Sequence, residues 1–109
     1  MQATASAKTV RISPTKARLV TRLIQGRNVP EALRILQTTQ KKAAGIVEKV
    51  LRSAVANAGN KEPVQDEDLK VQAAIADEGP RLKRFRPGPR GRAMRYVKRT
   101  SHISVTVSD

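Results

Sequence analysis

Nine basic side chains lie between Gly79 and Ser101, and no Asp or Glu accompanies them: Arg81, Lys83, Arg84, Arg86, Arg90, Arg92, Arg95, Lys98 and Arg99. Guanidinium forks and ammonium groups at this density are suited to neutralising phosphates. Nothing comparable is available for catalysis. The single histidine, His102, follows Ser101 directly, and neighbours on a strand point to opposite faces, which is poor geometry for a nucleophile and its base. Asp66, Glu67 and Asp68 are contiguous, without the alternating spacing and glycine of a calcium loop. Pro87-Gly88-Pro89-Arg90-Gly91-Arg92 is glycine-rich but has no Gly-Lys-Ser/Thr ending of a phosphate-binding loop. The absence of cysteine removes disulfides and thiolate metal sites. The expectation is a binding protein, not an enzyme, with no cofactor and no metal.

The basic stretch must then be positioned. Pro87-Gly88-Pro89 near its middle is turn chemistry, with fixed φ, missing amide donors and one permissive glycine. The flanks suit strands, and a hairpin with its bend at residues 87–91 is predicted. Alternation puts Leu82, Arg84 and Arg86 on one face of the outgoing arm and Arg81, Lys83 and Phe85 on the other. The return arm sets Arg92, Met94, Tyr96 and Lys98 against Ala93, Arg95, Val97 and Arg99. Cations point both ways, so neither face can lie on an apolar core. The hairpin is expected to project, with Asp77 to Pro87 reaching roughly 30 Å, and to be sheathed by something densely negative.

Charge asymmetry agrees. The net charge is +13, with nine basic residues in the ribbon and thirteen basic against nine acidic residues elsewhere; such imbalance points to a polyanion. One Phe, one Tyr and no Trp leave few platforms for stacking bases, so recognition should rest on phosphates and shape. No leader-like n-region and no long apolar run is present, and a cytosolic-type protein without a membrane span is expected.

The chain length suits one domain, with a globular body at 1–78 and 102–109 and the extended hairpin at 79–101. Val10 and Ile12 alternate with Thr9 and Arg11, giving a first strand within residues 3–12. Ser13 and Pro14 are an N-cap and first helical residue; Ala17, Val20, Leu23 and Ile24 form the buried stripe and Gly26 the stop. Arg18 and Arg22 share a face one turn apart, either as a phosphate clamp or as a solvated face. A second helix, 30–37, should bury Ala32, Leu33, Ile35 and Leu36. A third, 41–58, capped by Thr38 or Thr39, should bury Ala43, Ala44, Val47, Val50, Leu51, Ala54, Val55 and Ala58. Leu69, Val71, Ala73 and Ile75 mark a second strand; Ile103, Val105 and Val107 mark a third. The fold class is α+β: a small three-stranded antiparallel sheet packed by three helices, with a long protruding basic β-hairpin.

Four stretches carry a resemblance: Val10-Arg11-Ile12-Ser13-Pro14 with Lys16, Arg18, Leu19 and Val20; residues 49–58; Asp77-Glu78-Gly79-Pro80 with Leu82, Lys83, Arg84 and Pro87; and Gly91-Arg92-Ala93 with residues 98–103. Together they resemble the bacterial family of large-subunit ribosomal protein twenty-two, from about Ala5 to Asp109. The resemblance implies a structural constituent of the large subunit that binds 23S-type ribosomal RNA and supports assembly. Its hairpin would line the nascent-peptide exit tunnel beside large-subunit protein four, facing the nascent peptide, in the cytoplasm. The implied RNA-binding set is Lys8, Arg11, Lys16, Arg18, Arg22, Arg81, Lys83, Arg84, Arg86, Arg95, Lys98, Arg99 and His102. The implied tunnel-lining tip is Gly88, Pro89, Arg90, Gly91 and Arg92, and Lys83 and Arg84 fall in the arm linked to macrolide response. Gly88 stands where the family commonly has arginine, Pro89 where a small residue is usual, Gln25 for a frequent arginine and Gly59 for a frequent glutamate. The competing class is a histone-like architectural DNA-binding protein using a basic β-ribbon, which normally needs an extensive dimer interface.

Overall fold

A computed structural model describes residues 1–109, and its elements follow from local chemistry. Strand β1 is Gln2–Val10; helices α1, α2 and α3 are Pro14–Ile24, Val29–Thr38 and Lys42–Lys61; strands β2 to β5 are Lys70–Glu78, Leu82–Pro87, Ala93–Lys98 and Ser101–Ser108. Two sheets result: β1-β5-β2, all antiparallel, and the separate ribbon β3-β4. The three helices pack over one face of the larger sheet, α3 over β1 and β5, α1 over β2.

Helix α1 starts as expected. Ser13 is the N-cap, its Oγ accepting from the Lys16 amide, and Pro14 occupies the first turn. Ala17, Val20, Thr21 and Ile24 form its buried stripe, and Gly26 at φ +76° ends it, a conformation that costs a side chain but not glycine. Leu23 departs from expectation: it is exposed, like Leu19 one turn before it. Leu23 lies at the edge of the helical stripe, and Thr21, its hydroxyl bonded to the Arg18 carbonyl, takes the inward place. In α2, Ala32 and Leu36 are buried while Leu33 and Ile35 are only half-buried. Thr38 and Thr39 do not cap α3. Their hydroxyls donate to carbonyls of Arg34 and Ile35, closing the end of α2. Helix α3 runs three residues past the expected end; its inward alanines Ala43, Ala44, Ala54 and Ala58 are almost fully buried, and small side chains let neighbouring elements approach.

Strand β5 is central and behaves as its alternation requires, with Ile103, Val105 and Val107 fully buried. Strand β2 does not keep one phase. Its register against β5 slips between Val71 and Ala73, and a bulge of this kind exchanges the two faces downstream. Leu69 and Val71 point inward, but after the slip Ala74 and Ala76 do, and Ile75 faces solvent. The first strand stops at Val10 rather than Ile12 because its pairing breaks after Ala7 and Thr9 turns to φ +57°. Ile12 still reaches the core from the following turn.

Both outer strands have covered edges, which unpaired backbone requires. Along β1, Asn57 Nδ2 and Lys61 Nζ on α3 donate to the carbonyls of Thr4 and Gln2. Along β2, Arg18 Nε on α1 and Nε2 of Gln25, the C-cap of that helix, donate to the carbonyls of Ala76 and Ala74, and the α1–α2 connection exchanges backbone bonds with Leu69 and Val71. No buried side-chain polar atom lacks a partner.

Candidate nucleic-acid interface

The ribbon β3-β4 is a regular antiparallel ladder from Leu82 opposite Lys98 to Pro87 opposite Ala93. This register puts Arg84 and Arg86 on one face with Met94, Tyr96 and Lys98, and Lys83 and Phe85 on the other with Arg95 and Val97, so cations occupy both faces. All nine basic residues of the stretch are exposed, and of the ribbon's strand residues only Leu82 and Tyr96 are half-buried. Phe85, Met94 and Val97 stand 62 %, 57 % and 46 % exposed, apolar area that no part of this chain covers. The molecule is accordingly long, 63 × 26 × 15 Å. Aromatics within the ribbon orient its arginines: the Arg86 guanidinium lies 4.6 Å from the Tyr96 ring centroid and that of Arg95 lies 5.9 Å from Phe85. Stacking of this kind holds a cation in an extended pose without neutralising it.

The bend falls at residues 87–91. Pro89 to Arg92 is a tight reverse turn whose central residues are left-handed, Arg90 at φ +58° and Gly91 at φ +73°; the Arg92 amide donates to the Pro89 carbonyl and the Gly88 amide to the Arg92 carbonyl. A Cβ on Gly88 would meet that carbonyl oxygen at 2.6 Å and Met94 Cγ at 2.8 Å. No side chain fits at position 88 in this tip. Arg90 at the centre of the turn and Arg92 at its end are both exposed.

The root of the ribbon is built from short-range bonds. The Gly79 amide donates to the Thr100 carbonyl at 2.9 Å and Thr100 Oγ1 to the Pro80 carbonyl at 2.6 Å. Ser101 Oγ donates to the Ile12 carbonyl, and His102 Nδ1 accepts from the Thr9 amide. Ser101 and His102 are therefore each bonded to the backbone of the β1–α1 region and not to one another. Glu78 is paired with Arg81. The hydrogen bond and charge of that guanidinium, with smaller contributions from Arg99 and Arg18, hold the Glu78 carboxyl below its ordinary value despite opposing desolvation, and Arg81 is raised in return.

Beside this root lies an open notch that draws together residues distant in sequence: Arg11, Ile12, Ser13, Lys16 and Lys42 from the body, and Val97, Lys98 and Arg99 from the returning arm. Four of the cations singled out from sequence, Arg11, Lys16, Lys98 and Arg99, meet here. Lys42 was missed, since nothing in the spacing of α3 distinguishes it; its Nζ donates to the Arg11 carbonyl. Lys8 lies exposed on β1 just before the Thr9 turn. Arg18 and Arg22 line a different groove, between α1 and β2, with Gln25, Ile75 and Asp77. There Arg18 serves the sheet edge through Ala76, so it is more than the clamp or solvated face expected, and Gln25 does the same through Ala74. No group of three or more His, Cys, Asp or Glu is placed to hold a metal ion, and no helix is long and apolar enough to cross a membrane.

Curated relatives include the large ribosomal subunit protein uL22 of Staphylococcus aureus strains JH9, Newman and Mu3, each 51 % identical over 109 residues, covering 100 % of this chain and 93 % of the relative. Their family supplies structural, non-enzymatic components of the ribosome. A family model described as ribosomal protein L22p/L17e matches residues 5–108, and the chain belongs to that family.

Proposed function

We infer that the chain, a structural constituent of the large ribosomal subunit, works there by threading its hairpin through 23S-type ribosomal RNA. The observation that carries this reading is a ribbon with nine exposed cations, no acid and cations on both faces. Such an element is self-repelling when bare and is stabilised when phosphates surround it. The body, residues 1–78 and 102–109, is the domain that seats on RNA at the subunit surface, and residues 79–101 are its extension inward. Lys83, Arg84, Arg86 and Arg95 contact RNA along the arms, with Arg81, Lys98, Arg99 and His102 at the root and Lys8, Arg11, Lys16, Arg18 and Arg22 on the body. The tip, Gly88 to Arg92, lines the nascent-peptide tunnel next to large-subunit protein four. By holding RNA segments together the protein supports subunit assembly, in the bacterial cytoplasm.

The test is binding of the purified protein to 23S-type rRNA across a salt series. Neutralising about eight phosphates gives a log–log slope near −7 by the duplex rule. A flat response would overturn the reading. Reconstitution into subunits, followed by crosslinking from a photoreactive group at Arg90 to a stalled nascent peptide, tests the tunnel placement; crosslinks only to surface RNA would refute it.

A further inference from the structure

The notch at the ribbon's root is the cationic surface that joins body and ribbon; the adjoining pocket of Lys16, Lys41 and Lys42 with Ile12, Leu19 and Ala43 belongs to the body alone. The α1–β2 groove contains Asp77 beside its arginines, and the pocket at the tip draws on the ribbon alone. The notch gathers Arg11, Lys16, Lys42, Lys98 and Arg99 from the β1–α1 turn, α1, α3 and the returning arm, and no carboxylate lines it. Two helices also begin there, since Ser13 caps α1 and Lys42 opens α3, and neither has an acid in its first turn. Both helix dipoles thus add to the positive potential. Five like charges with no carboxylate among the lining residues, Glu78 acting on Arg99 only weakly from outside, favour an anion between them.

The notch also spans a joint. The ladder of the body sheet stops at Glu78 and Ser101, that of the ribbon at Leu82 and Lys98, and the sheets are separate. The bonds of Gly79 and Pro80 to Thr100 link them. Three of the cations stand on the body side of this joint and two on the ribbon side.

We propose that the notch is a phosphate site of its own, in which a backbone phosphate of the ribosomal RNA bridges Lys16 and Lys42 of the body to Lys98 and Arg99 of the ribbon and so sets the angle of the hairpin. This rests on the RNA-binding reading above and adds to it a division of labour: the arms supply affinity, and the notch supplies orientation. In the free protein, repulsion among the five cations opens the joint; a seated phosphate closes it.

The native chain has no cysteine, so spin labels at Asn60→Cys on α3 and Ala93→Cys on β4 report the angle directly. In the free protein the label-to-label distance distribution is expected to be broad, and to narrow on saturation with 23S-type rRNA. Lys16→Ala/Lys42→Ala, with its folding checked by circular dichroism, should still bind, with a salt slope shallower by roughly 1, the loss of one phosphate contact, but should keep the broad distribution. The charge-conserving pair Lys16→Arg/Lys42→Arg should narrow like the parent. If the alanine double variant narrows like the parent, or keeps the parent's slope, the proposal fails while RNA binding stands; a narrow distribution in the free protein also overturns it. Failure of the parent protein to bind the RNA would instead sink the functional reading itself.

Discussion

The amide of Thr9 donates to Nδ1 of His102 across 2.9 Å, at the point where β1 leaves its partner strand. Thr9 is held there at φ +57°, a region unfavourable for a β-branched residue. The bond therefore compensates a local strain. His102→Ala should lower stability by about 1 kcal/mol through loss of this acceptor. Thr9→Gly should raise it by about 0.5–1 kcal/mol, the relief of strain outweighing the added chain entropy. Urea denaturation with unchanged m-values checks both; a destabilised Thr9→Gly would show that the turn is not strained.

Arg18 on α1 and Gln25, the residue that caps its C-terminus, meet carbonyls two residues apart on β2. Removing either side chain should cost about 1 kcal/mol, and removing both about 2 kcal/mol, because the bonds are separate. Arg18→Ala should thus destabilise the free protein, unlike Arg22→Ala. Equal melting of the two variants would argue against an edge role for Arg18.

Two glycines should respond with opposite signs. A Cβ at Gly79 would lie 2.6 Å from Thr100 Oγ1, which is already bonded to Pro80, and 3.2 Å from His102 Cε1. Gly79→Ala should therefore destabilise by about 1–3 kcal/mol. Gly45, within α3, has nothing within 4 Å of a built Cβ. Gly45→Ala should stabilise by about 0.5–1 kcal/mol through helix propensity. Thermal melts of the two variants, shifting in opposite directions, are the check.

Stability should reside in the body. Leu51, fully buried on α3, should cost about 2–5 kcal/mol when truncated to alanine. Arg92→Ala should stay within about 0.5 kcal/mol of the parent. Replacing Arg81 to Arg99 by an Asn-Gly turn should leave helical circular dichroism intact and shift Tm by less than about 5 °C. A collapse of the body on that replacement would show that the ribbon is part of the core.

Acid should weaken the root and the chain ends. The Glu78 carboxyl is held down by its hydrogen bond to Arg81, and that of Asp109 by the Met1 ammonium. A carboxyl depressed in the folded state contributes stability above its unfolded pKa and loses it as pH falls through the folded value. Carbon-13 NMR titration should find the Glu78 midpoint below the ordinary 4.5, and Arg81→Ala should move it upward. Both pairs are exposed, so high salt should shrink the shifts. A Glu78 midpoint indifferent to Arg81 would refute the pairing.

Much of this protein is decided by its sequence, because the signals are local. Ser13-Pro14 starts a helix through its own hydroxyl and ring, Gly26 ends it through its own φ, and Ile103, Val105 and Val107 alternate on a strand regular from end to end. The projecting ribbon was legible for the same reason: cations at both parities of a strand leave no apolar side, whatever surrounds it. The tertiary structure alone decided the rest. The slip between Val71 and Ala73 turned Ile75 outward, and a bulge depends on the partner strand's register, which no local pattern encodes. Arg18 and Gln25 became edge caps, and Lys42 joined Lys98 and Arg99, because a distant backbone or charge came within reach. Spacing along a chain says which side chains share a face; only packing says what that face meets.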